Sequence, residues 1–214
     1  DRGQLRQAEA AFRRVIKLNR PEGALNLARV LLREGRLDEA VDALQAASTQ
    51  GAYPWSIDWF GGLVDLQNGN LDAAIDAFNA LTQTNYPEAR ARGFDFSLDY
   101  RLQNTLAQTL FERSKLAASN RMEVEWLDRA ANHYQQSLHI DPENVTAHYG
   151  LAQVYARLDR STQAEKHRQL HEKYRRDDNA HDLALASARR SDPAANHASE
   201  AVVIYELQRR GAYG

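Results

Sequence analysis

Glu34-Gly35-Arg36-Leu37-Asp38-Glu39-Ala40 and Asn68-Gly69-Asn70-Leu71-Asp72-Ala73-Ala74 superpose with a shift of 34 residues. In both, a glycine supplies the left-handed residue that ends a helix, and a leucine and an acid then open the next one. The register continues outward: Leu44 falls on Phe78, and Ala130 falls on Ala164, again 34 apart. A fixed period of this length marks a repeat architecture, in which each unit buries its apolar face only against its neighbours.

Small residues recur where two antiparallel helices must cross at about 8–10 Å. Ala28, Gly62, Ala107 and Ala152 take that place in the first helix of each unit, and Ala40, Ala74, Ala130 and Ala164 in the second. Leu27, Leu31, Leu44, Phe78, Leu106, Leu110, Tyr134, Leu151 and Tyr155 are the large side chains that wedge between them. Pro21, Pro54, Pro87 and Pro142 stand where one unit ends and the next begins. Asp159 replaces the glycine of the last internal turn, a position aspartate tolerates at some cost. In these features the sequence resembles the tetratricopeptide-repeat family, over roughly Gly3 to Tyr174.

The resemblance implies an all-α fold, a right-handed αα-superhelix of about four and a half helical hairpins with a C-terminal capping segment. The expected organisation is a solenoid over 1–176 and a capping tail over 177–214. Within the solenoid, 3–20 is a half repeat, 21–54 and 55–88 are regular, 97–144 is elongated and 145–176 is the last. The half repeat, Gly3 to Lys17, reads as a second helix without its first, with the apolar stripe Leu5, Ala8, Phe12, Val15 and Ile16. Leu5, Phe12 and Ile16 are therefore candidates for an assembly surface. Ala74 and Ala130 lie 56 residues apart, and Ala107 divides the excess over the period into 11 on each side. Eleven residues are about three helical turns, so helices can lengthen without turning their buried face away. Gly93-Phe94-Asp95-Phe96 reads as a loop anchored by aromatics.

Beyond Tyr174 the repeat stops. Asp182 to Arg189 reads as a short helix, and Ala198 to Gln208 as helical or extended. Asp177-Asp178-Asn179-Ala180 followed by Asp192-Pro193-Ala194-Ala195-Asn196-His197-Ala198 resembles the end of bacterial secreted proteins that join multihaem cytochrome modules to tetratricopeptide repeats. That resemblance implies a periplasmic or extracellular setting, with the cytoplasm as the alternative. It also makes a multihaem cytochrome assembly a candidate partner.

Composition narrows the chemistry. The 214 residues are 43% hydrophobic and 26% charged with a net charge of −2, so nothing points to nucleic acid. No apolar run approaches the length of a membrane span. Only 4 of the 27 basic residues are lysines, a skew read as genomic base composition, with bacteria the expected source. There is no cysteine, which excludes disulfides, thiolate metal sites, covalent haem attachment and a thiol nucleophile. No phosphate loop or serine elbow appears. His167 and His171 sit one turn apart, a chelating spacing, but on a Lys- and Arg-rich surface where solvated histidines are the better reading. His148 reads as half buried. Asn144-Val145-Thr146 matches a glycosylation sequon that arises easily by chance. No catalytic residue, cofactor or metal is expected.

In the family resembled, first helices line the binding face. Carried over by register, its inward positions are Leu25, Arg29, Leu32 and Arg33, then Trp59, Leu63 and Gln67. Arg101, Asn104 and Gln108 follow, and then Tyr149, Gln153 and Arg157. Arginine forks grip carboxylates and amides pair with extended backbone, so the expected partner is a protein or peptide with an acidic or extended segment. The alternative is a structural subunit that stacks head-to-tail on further copies of itself.

Overall fold

The computed structural model describes residues 2–18 and 20–175. The expectations for Asp182–Arg189 and Ala198–Gln208 lie outside the described residues. Every regular element among those described is helical: α1 (Arg2–Ile16), α2 (Pro21–Glu34), α3 (Leu37–Thr49), α4 (Pro54–Asn68), α5 (Leu71–Gln83), α6 (Pro87–Ala91), a 3-10 turn (Phe96–Leu98), α7 (Tyr100–Ser114), α8 (Asn120–Ile140) and α9 (Val145–Arg157). Residues 161–175 form a further helix, α10.

The helix boundaries follow from local chemistry. Proline opens α2, α4 and α6, where its missing N–H costs nothing. Side-chain caps open the later helices: Asp99 accepts from the Arg101 and Leu102 amides, Ser119 from Met122, and Asn144 from Ala147. Gly35 and Gly69, at φ 73° and 79°, close α2 and α4 in the left-handed region. Each is followed by an amide that reaches back five residues, Arg36 to the Leu31 carbonyl and Asn70 to the Asp65 carbonyl.

The chain divides into two compact units, Asp1–Pro87 and Glu88–Gly214. In the first, α2 pairs with α3 and α4 with α5, and α1 packs on α2. Its core joins Leu27, Ala28, Leu31, Leu32, Ala40, Ala43 and Leu44 to Phe60 and Val64. Phe12 and Ile16 pack against that core from α1. In the second unit, α7 pairs with α8, and α9 packs on both. Leu102, Leu106, Leu110, Leu127, Leu151 and Val154 are all but completely buried there.

The elongated repeat takes its extra length unevenly. Helix α7 has 15 residues, the same as α4. The first excess instead makes α6 and the 3-10 turn, with Phe96 buried and Phe94 partly exposed. The second excess makes the turn after Ser114 and lengthens α8 to 21 residues, against 13 for α3 and α5. Trp126, on this added length, lies between the guanidinium groups of Arg113 and Arg129, 5.2 and 4.5 Å from its ring.

Candidate functional site

Each first helix carries its projected residues into a different setting. On α2, Leu25 is half buried against the core of the first unit. Arg29 is half buried too, donating to the Asn26 side-chain oxygen at 2.8 Å, with its guanidinium 5.6 Å from the Phe60 ring centre. Leu32 is buried and belongs to the core itself, in one cluster with residues of α3 and α4. Arg33 is exposed and lines a cavity of about 420 Å³ with Leu5, Arg6, Glu9, Glu34 and Arg36. Arg36 organises that wall: it binds Glu9, Glu34 and Glu39 at 2.8, 2.9 and 2.6 Å, which holds the Glu9 and Glu39 carboxyls below their usual range. On α4, Trp59 and Leu63 pack against the core, Trp59 with its ring 5.6 Å from that of Phe78, while Gln67 is exposed.

The second unit brings two projected residues into one concavity. Arg101 and Asn104 line a cavity of about 350 Å³ with Tyr100, Thr105, Asp141, Asn144, Val145 and Thr146. Asn104 is 8% exposed, and a chain of hydrogen bonds fixes its amide. The Ala147 N–H and the Asn104 Nδ2 both donate to Asn144 Oδ1 at 2.9 Å, and Asn144 Nδ2 donates to Asp141 Oδ2 at 3.0 Å. With its nitrogen committed, Asn104 presents a buried Oδ1 that has no hydrogen-bond partner. A buried amide oxygen left unsatisfied costs about 1–3 kcal/mol. The glycosylation sequon is explained by the same geometry: Asn144 is buried and caps α9.

The remaining projected residues are spread over α7 and α9. Gln108 is exposed and Gln153 half buried. Arg157 is held in an ion pair by Glu123 of α8. Tyr149 is 53% exposed and lies against the His171 ring at 5.2 Å. His167 and His171 are not solvated as the sequence implied. Helix α10 turns both toward α9, because its apolar stripe is too short to bury without them. His167 Nδ1 lies 2.9 Å from His148 Nδ1, and His171 Nδ1 lies 3.2 Å from the Val145 carbonyl. His148 itself is buried, deeper than the half-buried position expected of it. His133 is also largely buried, its Nδ1 2.7 Å from Gln103 Oε1, and burial with Arg129 nearby pushes its pKa down to about 4. Among the described residues no group of three or more ligand-type side chains is placed to hold a metal ion. None of the described helices is long and apolar enough to cross a membrane.

Sequence reasoning missed Asp141, Asn144 and Gly150. The first two were legible as a repeat-boundary signal, since Asp141-Pro142-Glu143-Asn144 ends with a capping residue directly before a helical run.

The family model described as protein kinase G tetratricopeptide repeat matches residues 3–189. The chain belongs to that family. It is a tetratricopeptide-repeat scaffold for protein interaction. Among curated proteins none matches the sequence. Among solved structures, the crystal structure of MamA is similar at 16% identity and a TM-score of 0.63, covering 84% of this chain and 93% of that one. MamA 41-end from Desulfovibrio magneticus RS-1 is similar at 18% identity and a TM-score of 0.62, covering 82% of this chain and 88% of that one. At such identities the likeness shows the repeat fold and no more.

Proposed function

We propose that this tetratricopeptide-repeat chain is a non-catalytic scaffold that holds an extended or acidic protein segment against its first helices, anchored in the cavity between α7 and α9. The observation that carries this reading is the convergence of Arg101 with the fixed amide of Asn104 in one concave wall. Arg101 supplies a cation for a carboxylate, and the Asn104 side chain, bonded to Asn144, fixes the wall beside it. Asp141 on the same wall remains an anion, held back by the hydrogen bonds its oxygens accept from Asn144 Nδ2 and the Glu143 amide, so the carboxylate of a bound segment has to sit on the Arg101 side. Tyr100 and Val145 give the wall apolar area. Leu25, Arg29 and Trp59 act in this reading by shaping the first unit's surface, with Arg33 as its exposed cation.

The test is an array of short peptides, acidic and neutral, free and C-terminally amidated, probed with the full chain. Acidic peptides should be retained, and Arg101→Ala should weaken them by about 2 kcal/mol while the melting temperature stays put. Equal retention of acidic and neutral peptides, or unchanged binding by Arg101→Ala, would sink the cavity as the anchor.

A further inference from the structure

Helix α10 is fastened to α9 by aromatic nitrogen chemistry. His148 Nε2 lies 3.1 Å from the Pro142 carbonyl, which can only accept, so that nitrogen carries a proton. In the neutral ring His148 Nδ1 is then an acceptor. His167 Nδ1, 2.9 Å away, must be the donor, which selects the less common Nδ1–H tautomer for His167. Around this contact Tyr174 stacks on His148 at 5.6 Å, Tyr155 lies 5.6 Å from His167, and Tyr149 lies 5.2 Å from His171. His171 Nδ1 in turn donates to the Val145 carbonyl.

We propose that the His148–His167 contact is an acid-released latch that holds the helix of residues 161–175 on α9. The arrangement needs neutral rings. One added proton goes to the outer nitrogen of His167, Nε2, and leaves the Nδ1–H···Nδ1 bond in place, but a second sets two cations face to face in a partly buried site. The groups that face the pair come from three elements. Asp141, in the turn before α9, favours the charged form of His148; Lys166 and His171, on α10, oppose it. Lys166 also opposes charge on His167. From α8, Gln135 donates to the Tyr155 hydroxyl and is neutral. Burial outweighs all of these, holding His148 below the usual imidazole value and His167 down at about 4.

The sign follows from linkage. A detached α10 returns both imidazoles to about 6.5, so the detached state binds protons more tightly than the docked one. Docking is fully supported above about pH 6.5 and weakens progressively as pH falls toward 4. Acidification thus frees the helix that leads into the C-terminal segment. This inference is independent of the ligand proposed above and can fail while that reading stands.

The experiment is amide hydrogen exchange of the full chain at about pH 7.5 and about pH 5, corrected for intrinsic chemical exchange. Protection of 161–175 should fall by about tenfold or more at the lower pH, with a smaller loss in Tyr100–Ser114. His133 titrates in the same window but sits between α7 and α8, so its charging alone would open Tyr100–Ser114 equally. His167→Gln keeps a donor to His148 and removes one of the two titrating rings, so that a second cation cannot form and the acid loss should shrink to less than about threefold. Equal protection at both pH values overturns the latch, as does equal loss in the two segments. So does acid sensitivity undiminished in His167→Gln. Should that variant not fold, nitrogen-15 imidazole spectra of the unaltered chain decide the matter. At neutral pH they should show Nδ1–H on His167 and Nε2–H on His148, and Nε2–H on both rings removes the bond the latch needs.

Discussion

Phe78 and Tyr134 occupy the same place in the repeat, four residues after Ala74 and Ala130, yet they close on opposite neighbours. In the first unit, Phe78 of α5 fills the space over Gly62 of α4, the helix before it; a methyl group on Gly62 would lie 2.6 Å from the Phe78 ring. In the second unit, Tyr134 of α8 fills the space over Gly150 of α9, the helix after it, and a methyl there would lie 2.1 Å from the Tyr134 ring. The two settings also differ in the length of the second helix, 13 residues for α5 and 21 for α8. The repeat register therefore dictates that a large ring meets a missing side chain, but not which helix supplies the gap.

The largest effect that tests this comparison is removal of the rings. Phe78, completely buried, should cost about 3–5 kcal/mol on replacement by alanine, read from denaturant midpoints at unchanged slope. Tyr134→Ala should cost a similar amount. A loss below about 1 kcal/mol for either would mean that its ring does not hold its unit together.

Smaller and more specific is the addition of a methyl. Gly150→Ala should destabilise by about 1–3 kcal/mol and Gly62→Ala by less, because the first overlaps the ring more deeply. Tyr134→Leu should relieve Gly150→Ala in the double variant and leave Gly62→Ala untouched, while Phe78→Leu should do the reverse. If Phe78→Leu relieves Gly150→Ala instead, the pairing drawn above is wrong.

The two units also differ in how they meet acid. All seven histidines lie from His133 onward, so the first unit has none. His133, kept neutral with a pKa near 4, binds protons less readily when folded than unfolded. Its contribution is complete above about pH 6.5 and lost as pH falls toward 4, on the order of 1–2 kcal/mol by pH 5. In the first unit the depressed carboxyls of Glu9 and Glu39 act only below the ordinary carboxylate value, and weakly, since both belong to a solvated network. Amide exchange at about pH 5 should thus show α7 and α8 losing protection while α2–α5 keep theirs. Uniform loss across both units would break the distinction.

Sequence made the hairpins legible because their signals are backbone signals. Gly35, Gly69, Pro21 and Pro54 act through local φ and missing N–H groups, and the structure uses each where the register put it. Phe96 as an anchor and the lengthened fourth repeat were legible from composition and spacing. The surroundings of the projected site residues were less legible. Helical register gives the direction of Asn104 but not the depth of its surroundings, and Asn144, 40 residues away, buries it. Arg157 projects as a groove residue, yet Glu123 reaches it from the extra length of α8, which no repeat template contains. The histidine spacing 167/171 pointed along α10, whereas the contact that forms runs across to α9. Pairing across helices depends on side-chain reach and local crossing geometry, and neither has a period.

The smallest expected effect concerns the internal turns. Gly35 and Gly69 in the first unit and Asp159 in the second share one hydrogen-bond pattern. The left-handed residue donates to the carbonyl three back, and the next amide donates five back, Arg160 reaching the Tyr155 carbonyl at 2.9 Å. Asp159 holds φ 55°, the one positive φ outside glycine among the described residues. A side chain in that region costs about 1 kcal/mol, partly recovered because aspartate restricts the unfolded chain more than glycine does. Asp159→Gly should therefore stabilise the chain by about 0.5–1 kcal/mol, and Gly69→Asp should destabilise it by a similar amount. Calorimetry on the two variants checks the pair. Were Asp159→Gly destabilising, the aspartate side chain would have to hold the second unit's turn by more than its backbone, and the three turns would not be equivalent.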